Sequence, residues 1–364
     1  MQNLRTRITE MFGVEHPIFG FAHSEDVVAE VVNHGGIGVF GGTRNTPDEI
    51  ANSLRNIRER VGDRPFGIDL VIPRGMPESD NRENIEAQLP DEHRAFVQHL
   101  QDKYSVPAAS GPGMRSRFVR SEESARRQLD VVLDSDVDIL ALGVGSPPEV
   151  IAAAHDAGKK VVSLVGSPRN ARYSIDGGAD IIVAQGYDAG GHTGTIGTFS
   201  LIPQIVDMAG DTPVLAAGGV VTGRHIAAAL ALGADGVWLG SAWLFTQENH
   251  TDPTVLEKLI QAGPEDTVIS RADSGKTLRQ VRTAWSEEWE QADAPSPLKM
   301  PYQDILVGDL LGAISEHEVE PLMHTPVGQG VARFGAETTV AEVMRGLVEE
   351  ATSSAAVVRA ARVE

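Results

Sequence analysis

The 364-residue sequence contains no cysteine, and other features that it lacks narrow the choices further. Without cysteine the protein has no disulfide, no thiolate-bound zinc, no iron–sulfur cluster and no cysteine nucleophile. Residues 1–7 lack the apolar stretch that a secretory signal needs. The most apolar region, residues 213–245, is interrupted by Arg224, His225 and Asp235, which makes it unsuitable as a membrane span. We therefore expect a cytoplasmic, soluble protein with no metal site.

Positive charge is also scarce. The sequence has 51 acidic and 31 basic side chains, which gives a formal net charge of −20. Nucleic-acid backbones and anionic lipid surfaces both require clustered Lys and Arg. We therefore expect neither nucleic acid nor a membrane as a partner, although a local positive pocket for a small anion is compatible with this balance. At roughly 100–200 residues per domain, the length predicts two or three domains or one large barrel with an insertion.

Short apolar runs recur along the chain and are followed by helical patterns. The eight runs are residues 17–21, 37–40, 66–72, 138–142, 160–165, 180–184, 213–217 and 236–239. Consecutive apolar positions in runs of this length are typical of strands buried on both faces, as in a parallel sheet. No G-x-G-x-x-G follows a strand, so a Rossmann fingerprint is missing. The pattern predicts an α/β fold, a (β/α)8 TIM barrel with an inserted, mainly helical covering subdomain.

Two stretches interrupt the barrel pattern. The first, from about Arg74 to Leu133, is polar and acidic, and the second, from about Thr251 to Gln329, contains Trp285, Trp289 and Tyr302. Insertions after barrel strands lie on the catalytic face, so both are expected to cover the site. The predicted division is barrel at 1–74, insertion at 75–133, barrel with the binding site at 134–250, covering subdomain at 251–329 and C-terminal helix at 330–364.

The sixth predicted strand leads into a loop that is unusual for a simple connection. It ends at Gln185, and the loop then presents Gly190, Gly191 and His192. Glycine allows the backbone to approach a flat ligand closely, and the histidine can then reach over that ligand. A tight turn with a surface histidine is the plainer interpretation, and the position at a strand tip disfavours it.

The seventh and eighth predicted strands both end in small residues, Gly218 and Gly219 in one case and Gly240 and Ser241 in the other. Their amides would converge beside a helix that opens near Thr222. Many barrels bind phosphate after these two strands, so the sequence predicts a phosphate site, with close packing of helix on strand as the alternative. The span from this site to His192 suits flavin mononucleotide (FMN) better than a sugar phosphate.

Residues 185–241 resemble the nitronate monooxygenase (2-nitropropane dioxygenase) family, which uses FMN on a (β/α)8 barrel. The resemblance extends to the phrase Phe12-Gly13-Val14-Glu15-His16-Pro17-Ile18, to Ser274-Gly275-Lys276 and to Gly328-Gln329-Gly330. FMN-dependent enoyl-ACP reductases and certain CoA-ester flavoenzymes share the central motifs. The resemblance covers nearly the whole chain and is more specific for the family than for the reaction.

The resemblance also implies roles for individual residues. His192 matches the active-site histidine of the family, and Gln185 would contact the flavin ring beside Gly190 and Gly191. The residues that would complete the FMN site are Phe21, Ala22, Asp69, Gly218, Gly219, Gly240 and Ser241.

The sequence departs from the family pattern at three strand ends. Residues 19–23 replace the family's Ala-Pro-Met, Asp69 replaces an asparagine, and the fourth strand is not followed by the histidine that many members carry. His23 is therefore a second catalytic candidate. The alternative is that His23 has no catalytic role and is simply the residue next to Ser24, which caps the following helix. Asp69 is a third catalytic candidate: it would repel an anionic substrate, or pair with His192 or His23 and raise the histidine pKa, or serve as a cap.

The resemblance implies an FMN-dependent monooxygenase that uses O2 to oxidise a nitronate or nitroalkane to a carbonyl compound with release of nitrite. The alternatives are an enoyl-thioester reductase or desaturase, for which NAD(P)H would be a further partner, and a non-catalytic flavin-binding protein. A homodimer is left open. We interpret His324 as a solvent-exposed loop histidine, and Arg279 and Arg282 either as positive charge for an anionic substrate or as salt-bridge partners.

Overall fold

The computed structural model describes residues 4–72, 75–79 and 81–360, with side chains to residue 354. Arg74, where the first insertion was predicted to begin, lies outside the described residues.

Eight parallel strands close a barrel in the order β1-β2-β3-β4-β5-β6-β8-β9. These strands are β1 (Ile18–Ala22), β2 (Ile37–Gly41), β3 (Gly67–Val71), β4 (Ile139–Gly143), β5 (Lys160–Val165), β6 (Ile181–Gln185), β8 (Val214–Ala217) and β9 (Gly236–Leu239). Strand β1 closes the ring because it pairs with β9, with Gly20 opposite Leu239. The predicted (β/α)8 barrel is confirmed, and each strand lies within one residue of its predicted position.

Helices connect and cover the strands. They are α1 (Arg7–Phe12), α2 (Glu25–Asn33), α3 (Pro47–Val61), α4 (Arg82–Glu86), α5 (Asp91–Lys103), α6 (Glu122–Asp134), α7 (Pro148–Asp156), α8 (Pro168–Asp176), α9 (Thr198–Ala209), α10 (Gly223–Ala231), α11 (Pro253–Gln261), α12 (Ala284–Trp289), α13 (Tyr302–Glu316) and α14 (Val340–Ala360). Hydroxyl side chains begin several of them, as at Ser24 before α2 and Thr46 before α3. Within the described ranges, no helix is long and apolar enough to cross a membrane.

The barrel strands are apolar at consecutive positions because they are buried on both faces. Ile181 and Val183 of β6 belong to the cluster inside the barrel, while Ile182 and Ala184 of the same strand pack against the surrounding helices. All four side chains are inaccessible to solvent. The alternation of side chains across a strand therefore fills two cores at once.

The two stretches that interrupt the barrel pattern share a third core. Ile85 and Leu100 from the first stretch pack in one cluster with Trp285 and Leu310 from the second. Phe96 of α5 contacts Trp289 edge to face, with 4.9 Å between the ring centroids. The cluster ties the helices of both stretches together.

A small antiparallel sheet, which the sequence analysis did not predict, links the second stretch to the barrel. Its strands are β7 (Gly191–His192), β10 (Thr267–Ser270) and β11 (Leu278–Val281), in the order β10-β11-β7. Leu278 pairs with His192, so the predicted catalytic loop forms an edge strand of this sheet.

The contact of α2 with β2 requires a glycine at position 38. A Cβ on Gly38 would lie 2.2 Å from the carbonyl oxygen of Val28, and backbone in a helix cannot move aside as a side chain can. We expect Gly38→Ala to lower the free energy of unfolding by roughly 2–3 kcal/mol. Chemical denaturation measures this. Gly346→Ala, at an exposed helical glycine with open space around it, is the matched control and should be neutral or stabilising. If the two substitutions changed the free energy of unfolding equally, the close contact of α2 with β2 at Gly38 would be contradicted.

Candidate active site

The carboxyl ends of the barrel strands surround one large cavity. Its volume is about 1400 Å³. All twelve residues predicted from the sequence as catalytic or cofactor-binding line it: Phe21, Ala22, His23, Asp69, Gln185, Gly190, Gly191, His192, Gly218, Gly219, Gly240 and Ser241. The structure thus brings these residues to one place, while the role of each stays a prediction.

The glycines of the cavity wall allow loops to pack closely. A Cβ on Gly190 would lie 2.7 Å from the amide nitrogen of Gly328. Gly218 has a φ of +95°, and a Cβ there would lie 2.8 Å from Oγ1 of Thr198. Both positions therefore need glycine for the packing of the loops themselves, in addition to any approach of a ligand.

The N-terminus of α10, which was expected to contribute to the phosphate site, is already occupied by a carboxylate. Thr222 caps the helix, and the amide of Gly223 donates to Oε2 of Glu350 at 2.8 Å. Arg224 contacts the same carboxylate at 3.0 Å. The expectation of an anion at this helix end is corrected, because Glu350 of α14 supplies the negative charge. The candidate phosphate site is then the loops after β8 and β9 alone.

Two side chains fix the position of His192. Gln185, the last residue of β6, donates from Nε2 to the backbone oxygen of His192 at 2.7 Å. Nε2 of His192 lies 2.8 Å from Oγ of Ser274, and either partner is the donor according to the histidine tautomer. The strand tip and the covering stretch therefore hold the imidazole together.

His192 is neutral at physiological pH. Burial is the main cause, and repulsion from Arg120, Arg115, Lys276 and Arg44 adds to it, so that the pKa of His192 is lowered to about 3. A neutral imidazole donates or accepts hydrogen bonds, but with this pKa it is a weak base.

His23 lines the cavity next to the cap of α2. Ser24 accepts hydrogen bonds from the amides of Asp26 and Val27 and is the cap, while Nδ1 of His23 lies 2.8 Å from the backbone oxygen of Gly41. His23 therefore stands beside the capping residue and also faces the candidate site. Burial, which is the largest cause, lowers the pKa of His23.

Asp69 is a buried acid without a hydrogen-bonding partner at one oxygen. Its residue surface is 7% exposed, and no group in the described part of the chain bonds to Oδ1. Burial raises the pKa of Asp69 to about 7, against the opposing charge of Arg120. The hypothesis that Asp69 pairs with His192 or His23 is wrong, because no hydrogen bond joins them in the described part of the chain and the pKa of both histidines is lowered, not raised.

Four cationic side chains line the cavity, and the sequence analysis assigned none of them to the site. They are Arg44, Arg115, Arg120 and Lys276. Arg44 comes three residues after β2, so the strand-tip rule that found Asp69 could have found it. Arg115 and Arg120 lie between α5 and α6, where no local motif marks them.

The two arginines that were singled out as cation candidates lie elsewhere. Arg279 is buried and donates to the backbone oxygen of Tyr187 and to Oγ1 of Thr267, and Arg282 contacts Glu290 at 3.4 Å. Arg282 matches the salt-bridge alternative, whereas Arg279 bonds only to uncharged oxygens among the described residues and matches neither alternative.

A buried carboxylate, Asp273, joins the two covering stretches. It accepts hydrogen bonds from Arg115 at 2.8 Å and from the indole of Trp285 at 2.9 Å, and Nε2 of His324 lies 3.1 Å from both oxygens. Burial alone would raise the pKa of Asp273, but the charges of His324 and Arg115 and these hydrogen bonds hold it well below its usual range.

The interpretation of His324 as an exposed loop histidine is wrong. Its side chain is 6% exposed, and its ring stacks on Trp285 with 5.9 Å between centroids. The sequence places His324 among loop residues, and only the packing of the covering stretch shows that it is buried.

The chain resembles proteins of known sequence and structure over nearly its whole length. It is 40% identical to Rv1533 of Mycobacterium tuberculosis, which bears the name of a monooxygenase, over 95% of this chain and 96% of that protein. A crystal structure of nitroalkane oxidase from Streptomyces ansochromogenes has a TM-score of 0.81 at 26% identity and covers 96% of this chain and 99% of its own. FabK from Thermotoga maritima has a TM-score of 0.76 at 26% identity, with coverage of 98% and 99%.

The fold and the cavity define a barrel enzyme, an oxidoreductase of the monooxygenase or oxidase type. Residues 4–350 match the nitronate monooxygenase family, and the chain belongs to that family. The family and its structural neighbours are flavin enzymes, as the resemblance implied.

The Asp273 cluster generates a stability prediction. Asp273→Asn removes the carboxylate that accepts hydrogen bonds from Arg115 and Trp285 and leaves the Arg115 guanidinium with only Asp304 at 3.8 Å, so we expect the free energy of unfolding to fall by about 3–5 kcal/mol at pH 7. Because the pKa of Asp273 is depressed in the folded state, this difference should be present above its unfolded pKa and shrink as the pH falls below about 4.

Chemical denaturation of the wild type and of Asp273→Asn, at pH 7 and in acid, measures the difference in the free energy of unfolding. Asp136→Asn, which removes an ion pair with Arg58 from a largely exposed carboxylate, is the control and should cost less than about 1 kcal/mol. If Asp273→Asn behaves like this control, Asp273 does not hold the cover in place.

Proposed function

We propose that the protein is an FMN-dependent nitronate monooxygenase, which uses O2 to convert nitronates to carbonyl compounds with release of nitrite. The observation that carries this proposal is the cavity itself. It combines the glycine-lined loops expected of the family with four cationic side chains, in a protein whose net charge is −20. Local positive charge overcomes the long-range acidic field where an anion must bind.

The residues of the cavity fit a flavin. The loops at Gly218, Gly219, Gly240 and Ser241 have small side chains and would hold the phosphate, and Gln185 with residues 190–191 would lie beside the ring. Gly191 has a φ of +76°, and open space surrounds the position of a Cβ there, so its backbone is accessible to a ligand. When bound, the flavin would supply the redox chemistry, accepting electrons from the substrate and passing them to O2.

The chain's own residues favour a nitronate over the neutral nitroalkane. A neutral nitroalkane must lose a proton from carbon, and His192, with a pKa of about 3, is a poor base for that step. A nitronate has already lost this proton. The neutral imidazole of His192 can still hydrogen-bond to the substrate, held in place by Gln185 and Ser274.

The proton on Asp69 is compatible with an anionic substrate. Below about pH 7 the carboxyl is protonated, so it carries no charge that would repel a nitronate and can donate a hydrogen bond. The replacement of the family's asparagine by aspartate therefore preserves a neutral donor at this position under mildly acidic to neutral conditions.

The function is tested first by the flavin and then by the products. The purified protein should show flavin absorption, and chromatography of the released cofactor should identify FMN. With ethyl nitronate in air, nitrite and acetaldehyde should form together, at a rate much higher than with neutral nitroethane. Protein that neither contains nor accepts FMN would contradict the proposal, as would FMN-loaded protein that forms no nitrite from any nitronate.

A second candidate function is the reduction of an enoyl thioester, because the chain resembles the enoyl reductase FabK over nearly its whole length. A reductase would bleach its flavin when mixed anaerobically with NADPH, and a monooxygenase of the proposed kind would respond to nitronate instead. Comparing the two mixtures separates the candidates. A flavin that responds to neither would favour a non-catalytic flavin-binding protein.

Asp69 generates a pH prediction. As the pH rises through about 7, Asp69 ionises and repels the anionic substrate, so kcat/KM for ethyl nitronate should fall several-fold between pH 6 and about 8.5. In Asp69→Asn this fall should be absent. Steady-state assays across this range measure it, and an equally steep fall in both proteins would assign the ionisation to another group.

Stability gives a readout of Asp69 that is independent of turnover. The folded-state pKa lies above the unfolded value of 3.8, so the unfolded chain ionises first and the native state loses stability as the pH rises from about 4 to 7. At about 1.4 kcal/mol per pKa unit, Asp69→Asn should gain up to about 4 kcal/mol at pH 8 and almost nothing near pH 4. Asp130→Asn, at an exposed position, is the control. A gain that does not depend on pH would contradict the raised pKa.

A further inference from the structure

Three arginines meet at one side of the cavity. Arg44 follows β2, and Arg115 and Arg120 come from the loop between α5 and α6. Together with Asp304 of α13 they line a small side pocket of about 10 Å³, and all three arginines also line the large cavity. Residues that are far apart in the sequence thus form one cationic cluster, which we call the arginine cluster.

The three guanidinium groups of the arginine cluster have few carboxylate partners. Arg115 contacts Asp273 at 2.8 Å and Asp304 at 3.8 Å, and its Nη1 has no hydrogen-bonding partner. Within residues 4–72, 75–79 and 81–354, no carboxylate lies within 4.0 Å of the guanidinium of Arg44 or Arg120. Lys276 adds a fourth cation to the cavity wall.

Without a bound ligand, this arrangement of positive charges is electrostatically unfavourable. Burial, and then repulsion from Arg115 and Arg120, lower the pKa of Arg44, and burial lowers that of Arg120. Burial raises the pKa of Asp69 to about 7, and it raises that of Asp304 against the opposing charges of the three arginines. Arginine nevertheless stays protonated in proteins. Half-buried guanidinium groups without a carboxylate partner are unfavourable, and a bound anion would compensate for them.

We propose that the arginine cluster is a subsite for an anionic group of the substrate, a carboxylate or a phosphate, at a position separate from the carbon that is oxidised. The planar guanidinium groups of Arg44, Arg115 and Arg120 match the paired oxygens of either group. The binding of such an anion follows from the charges alone, whereas its attachment to a nitronate rests on the proposed function. The substrate would then carry at least two negative charges.

The subsite is distinct from the candidate phosphate site of the cofactor. That site follows β8 and β9, whereas the arginines follow β2 or lie in the insertion between β3 and β4. None of the residues 218, 219, 240 and 241 lines the side pocket among the arginines. The cavity therefore offers two separate places for anionic groups.

Binding of an unreactive anion tests the subsite without turnover. Glutarate and inorganic phosphate are titrated separately into the FMN-loaded protein by calorimetry, and the tighter ligand indicates which group the subsite takes. Arg44→Gln and Arg120→Gln should each weaken the favoured ligand by about tenfold or more. Arg126→Gln, at an exposed position on α6 outside the cavity, is the matched control and should leave binding unchanged.

Thermal unfolding separates this role from a structural one. Without ligand, Arg44→Gln and Arg120→Gln should unfold at the same temperature as the wild type or higher, because each removes a half-buried cation that has no carboxylate partner. The increase in Tm that the anion gives to the wild type should be lost. Arg115 is not used as a test, since its substitution would also leave Asp273 without a partner.

Substrate selectivity then connects the subsite to the reaction. The nitronates of 4-nitrobutanoate and 4-methyl-1-nitropentane have the same shape and differ in the carboxylate, and that of 3-nitropropyl phosphate supplies the other anion. The wild type should prefer one of the charged nitronates in kcat/KM by about tenfold or more, and Arg44→Gln should lose this preference because its kcat/KM falls much further for the charged chain than for the uncharged one.

The outcomes distinguish the two proposals. If neither glutarate nor phosphate binds, or if the two arginine substitutions leave binding unchanged, the subsite is wrong. A change in FMN affinity alone would also overturn it and would assign the arginines to the cofactor. If the anion binds through the arginines but no nitronate is oxidised, the subsite stands and the proposed function fails.

Discussion

The buried carboxylate of Asp273 is the interaction on which the arrangement of the site depends. It bonds to Arg115 from the first covering stretch and to Trp285 and His324 from the second. The next residue, Ser274, contacts Nε2 of His192 at the barrel mouth. One carboxylate with three partners thus holds Arg115 and the cover together, and its neighbour Ser274 holds the candidate active-site histidine. Because the carboxylate is fully buried, its partners cannot be replaced by water.

Charge is distributed unevenly in this protein. The chain as a whole carries a formal charge of −20, while its cavity holds three arginines and a lysine. Burial lowers the pKa of His192 to about 3 and raises that of Asp69 to about 7, so His192 is unprotonated at neutral pH and Asp69 carries only part of a negative charge. The acidic exterior maintains solubility, and the interior determines which ligand is attracted.

The barrel could be predicted from the sequence because its strands are buried on both faces and so read as apolar runs. The candidate FMN residues from Gln185 to Ser241 could be predicted as well, since they follow consecutive strands and the motifs are contiguous. The arginine cluster could not. Arg44, Arg115 and Arg120 come together only through the packing of the covering stretches, and no spacing in the sequence records that packing.

Hydrogen-bond partners were also beyond prediction. Pairing with a histidine was one of three roles considered for Asp69, but His192 contacts Ser274 and His23 contacts the oxygen of Gly41, and the helix end expected beside the phosphate site is occupied by Glu350. Each of these partners is distant in the sequence. The rule that site residues follow the carboxyl ends of barrel strands predicts where a side chain lies, but it does not predict which group that side chain contacts. For the same reason the burial of His324 depends on Trp285 and Asp273, which lie about 40 and 50 residues before it.

The central claim is that the cavity separates two anion sites, one on glycine-rich loops for the cofactor and one on arginines for the substrate. A crystal structure of the FMN-loaded protein with bound glutarate tests this most directly. The account predicts the flavin phosphate on the loops at Gly218, Gly219, Gly240 and Ser241, and a carboxylate between Arg44 and Arg120. A flavin phosphate bound to the arginines, with the glycine loops empty, would contradict it.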